Sequence, residues 1–156
     1  MTSKLRGAIP FPDAGEGVFV RFSAGDIARL EDEYGIGEYF DKIEMNLNAQ
    51  SAKVTMKCLE VGAKKEVDGK IVPFSIDFEE ADWPLTSAIF PIMDALCYQA
   101  FGESYEWYIN ERLSLERRRD EALQELEQKK REMASNDPFP ASGESNVSSD
   151  TGSEQD

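Results

Sequence analysis

A chain of 156 residues with a net charge of −14 and 40% apolar residues has room for one modest domain and a polar tail. That charge argues against bare nucleic acid as a partner, since phosphates need Lys and Arg to displace their counterions, and equally against anionic membrane surfaces. It favours solubility, and protein partners that are basic or that carry apolar surface needing a soluble escort.

Lys4 and Arg6 are followed by no apolar h-region, because Pro10, Pro12 and Asp13 break the run, so the expectation is a chain without a signal peptide that works in the cytoplasm. Residues 1–16, rich in Gly and Pro and without periodicity, read as a mobile arm. Gly17–Phe22 has the Val and Phe content of a short strand. Ser23 and Asp26 have the spacing of a capping box, and Ile27, Leu30 and Tyr34 follow at helical spacing until Gly35. A second helix is predicted over about 37–48, with Phe40, Ile43 and Leu47 on one face. A turn marked by Asn46, Asn48 and Gln50 precedes a third helix from Ser51, with Val54, Cys58 and Val61 on one face and Gly62 closing it.

Asp68-Gly69 supplies the positive φ of a tight turn, so 64–73 reads as a small exposed β-hairpin whose length Pro73 limits. Asp82 is the predicted cap of the most apolar helix, in which Leu85, Ile89, Ile92, Leu96 and Ala100 form a stripe widened by Ala88, Met93, Cys97 and Phe101. Pro91 requires that helix to kink or to begin afresh. Gly102 interrupts before Tyr105, Trp107, Tyr108 and Ile109. From 111 to 134 the chain turns to Glu, Arg, Lys, Gln and Leu, a strong helix former. Leu115, Ala122, Leu126 and Met133 fall on a heptad seam, but Arg119 and Lys129 interrupt it, which favours a solvated helix over a stable dimeric coiled coil. Residues 135–156 hold no Lys or Arg and too little apolar surface to offset chain entropy, so they read as a disordered acidic tail. The architecture is thus mainly α. The arm at 1–16 leads to a helical domain at 17–110 with a short N-terminal strand and a β-hairpin, then the charged helix and the tail.

The sequence has no histidine, which removes the commonest general base and metal ligand near neutral pH. No phosphate loop, CxxC pair or nucleophile elbow is present, so no catalytic, cofactor or metal site is expected. Glu79, Glu80 and Asp82 read as acids at a helix N-terminus, and Asp41 with Glu44 as a solvated helix face. Cys58 and Cys97 lack basic neighbours in sequence and read as core thiols. The aromatics are numerous for so small a body. Tyr39, Phe40, Trp83, Phe90, Tyr105, Trp107 and Tyr108 are the candidate partner-binding residues, able to line a groove for an apolar helical segment.

The run Val18–Ser23, then Ile27-Ala28-Arg29-Leu30-Glu31 through Gly35, Tyr39-Phe40, Val61-Gly62 and the apolar helix 85–101 resembles the tail assembly chaperones of long-tailed (siphovirus-type) phages and gene transfer agents. The resemblance spans about residues 17–102. It implies a chaperone that coats the tape measure protein, keeps it soluble, helps recruit the major tail tube protein, and is absent from the mature virion. Self-association of copies along one tape measure protein fits the same role, with the 111–134 helix as its candidate element. The hairpin at Asp68-Gly69 and the long charged helix with its tail depart from the minimal family pattern. A structural minor tail or head–tail virion protein, and an acidic adaptor that occupies a basic partner, are the alternatives.

Overall fold

The structure, a computed structural model, describes residues 6–135. Residues 1–5 of the expected arm, and the expected tail beyond Ser135, lie outside the described residues. The chain divides into two compact units, the first running to Asn110 and the second starting at Glu111.

The first unit is mainly α with one small sheet. Its elements are β1 (Ile9–Pro10), β2 (Phe19–Val20), α1 (Ala24–Tyr34), α2 (Tyr39–Asn48), α3 (Ala52–Gly62), β3 (Ala63–Val67), β4 (Lys70–Pro73) and α4 (Ile89–Phe101). The strands form one antiparallel sheet in the order β1-β2-β3-β4, with Ile9 opposite Val20, Val20 opposite Ala63, and Lys65 opposite Val72. Two expectations change here. Residues 9–14 are not a mobile arm: Ile9 and Pro10 pair with β2, Pro12–Ala14 form a 3-10 turn, and the Phe11 side chain is buried. A pattern search passes over this segment because two prolines leave it no periodicity, yet one buried ring is enough to tie it to the core. The hairpin is likewise not free-standing, since β3 is stitched to β2 on its other edge. Its turn has the expected chemistry, with Asp68 at φ 52° and Gly69 at φ 77°.

Local signals place the helices. The Asp26 N–H donates to the Ser23 hydroxyl at 3.1 Å and the Ser23 N–H donates to the Asp26 carboxylate at 2.9 Å, a complete capping box. Ser51 caps α3 by accepting from the Val54 N–H at 3.2 Å. Asp82 caps nothing. Pro84 precedes a 3-10 turn at Leu85–Ala88, and the α-helical segment starts only at Ile89. Pro91 therefore sits in the first turn of α4, where its missing N–H has no intrahelical acceptor to lose, so the helix begins afresh and needs no kink there.

One core joins these elements. Val20 and Phe22 from the sheet region, Leu30, Ile43 and Leu47, Cys58 and Leu59, and Ile92, Met93, Leu96 and Cys97 pack together, with Phe11 and Ala88 among them. The apolar stripe expected along 85–101 is core only as far as Cys97. Ala100 and Phe101, in the last turn of α4, are exposed. Beneath β3, the Lys64 ammonium reaches Asp26 at 3.0 Å and donates to the Val61 carbonyl at 2.8 Å, so one buried ion pair ties α1 to the α3–β3 junction.

The last helix, α5 (Tyr105–Ser135), is 31 residues long. It starts six residues before the expected boundary at 111, because the aromatic run Tyr105–Ile109 is its first turn and not a separate segment. Within the second unit its residues from Leu115 to Ser135 are all exposed.

Candidate protein-binding surface

Three helices of the first unit bring a run of rings together. Phe90 meets Tyr105 edge-on at 5.7 Å between centroids, and Tyr105 stacks with Tyr108 at 6.4 Å. Tyr108 stacks with Phe101 at 5.3 Å, nearly parallel at 10°. Phe40 then abuts both, at 5.0 Å from Tyr108 and 5.7 Å from Phe101, and Trp107 closes the row at 6.1 Å from Phe101. Phe90, Phe101 and Trp107 keep 58%, 47% and 39% of their surface open to solvent. Rings from the first and last turns of α4, the first turns of α5 and the start of α2 thus touch in one aromatic patch, which Phe90 joins through the buried Tyr105.

The chain makes this patch through two local devices. Gly102 takes the left-handed conformation at φ 74° and ends α4 with its N–H on the Tyr98 carbonyl at 3.0 Å, turning the chain back within two residues. Ser104 then caps α5 by accepting from the Trp107 N–H at 3.1 Å, while the Tyr105 N–H donates to Asp94 on α4 at 2.9 Å. The start of α5 is therefore held against the middle of α4, with aromatic residues at the joint.

The seven sequence candidates fare differently. Phe40, Phe90, Trp107 and Tyr108 belong to the patch. Tyr105 is inside it but only 4% exposed, so it is a core residue that supports the surface and offers none itself. Its hydroxyl donates to Glu44 at 2.8 Å, and Glu44 is buried, which corrects the expectation of a solvated acidic face on that side of α2. A carboxylate that accepts a hydrogen bond can be buried where an unpartnered one cannot, and nothing in the local sequence of α2 announces a donor 61 residues away. Tyr39 is half-buried against the core, with its phenol pushed above its ordinary value first by burial and then by Glu31. Trp83 is placed elsewhere. Its ring packs edge-on against Phe11 at 5.2 Å and covers the core beside the N-terminal segment. Phe101 is the residue that sequence reasoning left out of the surface. It continues the apolar stripe of α4, and only its position in the last turn before Gly102 marks it as lying past the core edge.

Beside the patch a groove of about 420 Å³ is lined by Phe90, Asp94, Ser104, Glu106, Ile109 and Asn110. Its lining joins the apolar Phe90 and Ile109 to two acids, Asp94 and Glu106, a combination suited to an amphipathic helix whose apolar ridge is flanked by Lys or Arg. A second groove of about 420 Å³ combines Tyr34, Val54, Met56 and Phe78 with the charged Glu33, Lys53, Lys57 and Glu60, and its Lys57 already faces Glu33 at 3.9 Å and Glu60 at 3.5 Å.

Away from this patch, burial shifts two ionisable side chains. Burial pushes the Cys58 thiol up to about 12, against a small opposing pull from Lys57. The Tyr34 phenol is also pushed up to about 12, first by burial and then by Cys58 and Glu33. Among the described residues no group of three or more His, Cys, Asp or Glu is placed to hold a metal ion, and no helix is long and apolar enough to cross a membrane. No known family model, curated protein or solved structure matches this chain.

Proposed function

We propose that this protein is a tail assembly chaperone of the long-tailed phage type, which works by binding and without catalysis. In this reading it holds the tape measure protein soluble in the host cytoplasm, helps recruit tail tube subunits, and leaves before the virion is complete. The observation that carries the proposal is the contiguous patch of Phe40, Phe90, Phe101, Trp107 and Tyr108 on an otherwise acidic protein. A holdase needs apolar surface that competes for the client's exposed apolar surface, and like charge that keeps the complexes apart. The patch supplies the first and the net charge of −14 the second. Asp94 and Glu106 at the groove give orientation, favouring client helices that flank their apolar ridge with cations.

The test is co-expression with the tape measure protein. That protein is expected in the soluble fraction only when this chain is present, and to precipitate again with Phe101→Ala/Trp107→Ala, which leave the buried core intact. A hairpin variant, Lys70→Ala, is expected to rescue as the wild type does. A tape measure protein that is soluble alone, or that the patch variant rescues equally well, refutes the proposal. Recovery of this chain from purified particles at stoichiometric levels replaces it with a structural virion protein.

A further inference from the structure

The second unit presents a different surface. With about 100° of turn per residue, Leu115, Ala122, Leu126 and Met133 lie within an arc of about 40° along α5, and all four are exposed. Arg119 and Lys129 share the stripe. On one flank stand Glu116, Leu123 and Lys130, on the other Arg118, Glu125 and Glu132.

A parallel pairing of two such helices is opposed by their own charges. It sets Arg119 on Arg119 and Lys129 on Lys129, and it sets Glu111 beside Glu116 of the other helix, leaving Glu125 with Lys130 as the favourable flank pair. Reversing one helix changes the pattern. In the register that places Leu115 opposite Met133 of the second copy, Ala122 meets Leu126, and the small side chain faces the large one. On one flank Glu116 then meets Lys130 twice by symmetry, with Leu123 on Leu123 at the centre. On the other flank Arg118 meets Glu132 twice, leaving only the central Glu125 pair repulsive. The Arg119–Lys129 layers remain like-charged, with their long stems covering the seam and their charged ends leaving it, so the association is weak and reversible. We propose that a second copy of this chain binds the stripe of α5 in this antiparallel register.

The experiment uses the full chain alone, so that its result is separable from any client binding. Sedimentation over a range of concentrations is expected to show a shift from one copy to two. Glu116→Lys or Lys130→Glu alone turns two symmetry-related pairs repulsive and is expected to weaken the dimer about tenfold, whereas the double exchange Glu116→Lys/Lys130→Glu restores it. Single new cysteines report direction, since the native Cys58 and Cys97 are buried. Leu123→Cys brings two thiols face to face only in the antiparallel register and is expected to cross-link under mild oxidation. Leu115→Cys places them about 27 Å apart in that register, from 18 residues at about 1.5 Å each, and adjacent in a parallel one. A chain that stays monomeric at every concentration, cross-linking through Leu115→Cys in place of Leu123→Cys, or a double exchange that does not recover, overturns the proposal.

Discussion

The buried pair Asp26–Lys64 gives the sharpest test of what holds the first unit together. Asp26 is 4% exposed and its carboxylate accepts from three directions: the Ser23 N–H at 2.9 Å, the Lys64 ammonium at 3.0 Å and the Arg29 guanidinium at 2.7 Å. Arg29 is mostly solvated, so it is screened and contributes little, and the energetic partner is Lys64. Asp26→Asn keeps the shape but leaves the buried ammonium with the Val61 carbonyl at 2.8 Å and no counter-charge in Asp26. Removing one member of a buried pair costs about 3–5 kcal/mol, a large part of the 5–15 kcal/mol typical of a domain's total. Lys64→Met is milder, because Asp26 keeps the Ser23 and Arg29 donors, and about 1–3 kcal/mol is expected. The double variant is expected to cost less than the sum, with a coupling of about 1–3 kcal/mol. Acid adds a second reading. Burial alone pushes the Asp26 carboxyl up, but the Ser23 hydrogen bonds and Lys64 outweigh it and hold the group below its ordinary 3.8. The folded state therefore takes up the proton later than the unfolded one. The pair's stabilisation is complete above the unfolded value and is lost as pH falls below 3.8 through the folded value. Urea unfolding followed by circular dichroism at pH 7 and through the acid range measures both. An Asp26→Asn loss below about 1 kcal/mol, or strict additivity, refutes the reasoning.

Gly62→Ala is expected to destabilise, because a Cβ there falls 2.5 Å from Cε1 and 2.7 Å from Cζ of the buried Phe22 ring. The helical preference of Ala returns at most about 1 kcal/mol, while forced overpacking costs about 1–3 kcal/mol, so a thermal melt should shift down by several degrees; an unchanged or raised Tm contradicts the packing. Cys58, buried and with its thiol pushed up to about 12, is expected to resist a thiol reagent in the native protein and to react only on unfolding in urea. Native labelling of Cys58, located by mass mapping, counts against its burial. Tyr105→Phe removes one donor from buried Glu44 and is expected to cost about 1–3 kcal/mol in urea unfolding, whereas Trp107→Ala at the exposed edge should cost about 1 kcal/mol or less.

Much of the fold was legible because it is written in short-range chemistry. Ser23 with Asp26, Ser51, Asp68-Gly69 and Gly102 are local devices, and each marks a cap, a turn or a helix end where the structure has one. Contacts between distant segments were not legible. Ile9–Phe11 joins the sheet and core through backbone pairing and one ring, which no periodicity in a proline-rich stretch reveals. Asp82 has the look of a cap, but Pro84 sets an extended backbone at φ −65° and ψ 146°, and a 3-10 turn intervenes before α4. The candidate surface divides along the same line. Aromatic residues around the α4–α5 joint could be named from composition, but whether each ring faces solvent or core depends on its angular position after Gly102. That position separates Tyr105 from Trp107, two residues on; Phe101 reaches the surface from the last turn before Gly102, and Trp83, ahead of α4, packs on Phe11 instead.

The joint at Gly102 explains how an exposed aromatic patch can be held rigid at small cost. An isolated surface ring loses rotamer freedom when a partner covers it, and that loss opposes binding. Here Phe101 lies flat on Tyr108 and edge-on to Phe40, and Tyr108 rests in turn on Tyr105. Tyr105 is fixed at both ends, its N–H on Asp94 of α4 and its hydroxyl on Glu44 of α2. The rings are thus ordered in the chain by itself, and Tyr105, which orders them, is a core residue already fixed by folding. On the proposed function, the side chains that would meet a client and those that hold the fold are therefore different ones. A substitution at Phe101 or Trp107 should remove client affinity from a protein that still folds, and one at Tyr105 should loosen the fold together with the patch. Only the first kind separates a holdase function from mere instability, and the patch geometry identifies which residues provide it.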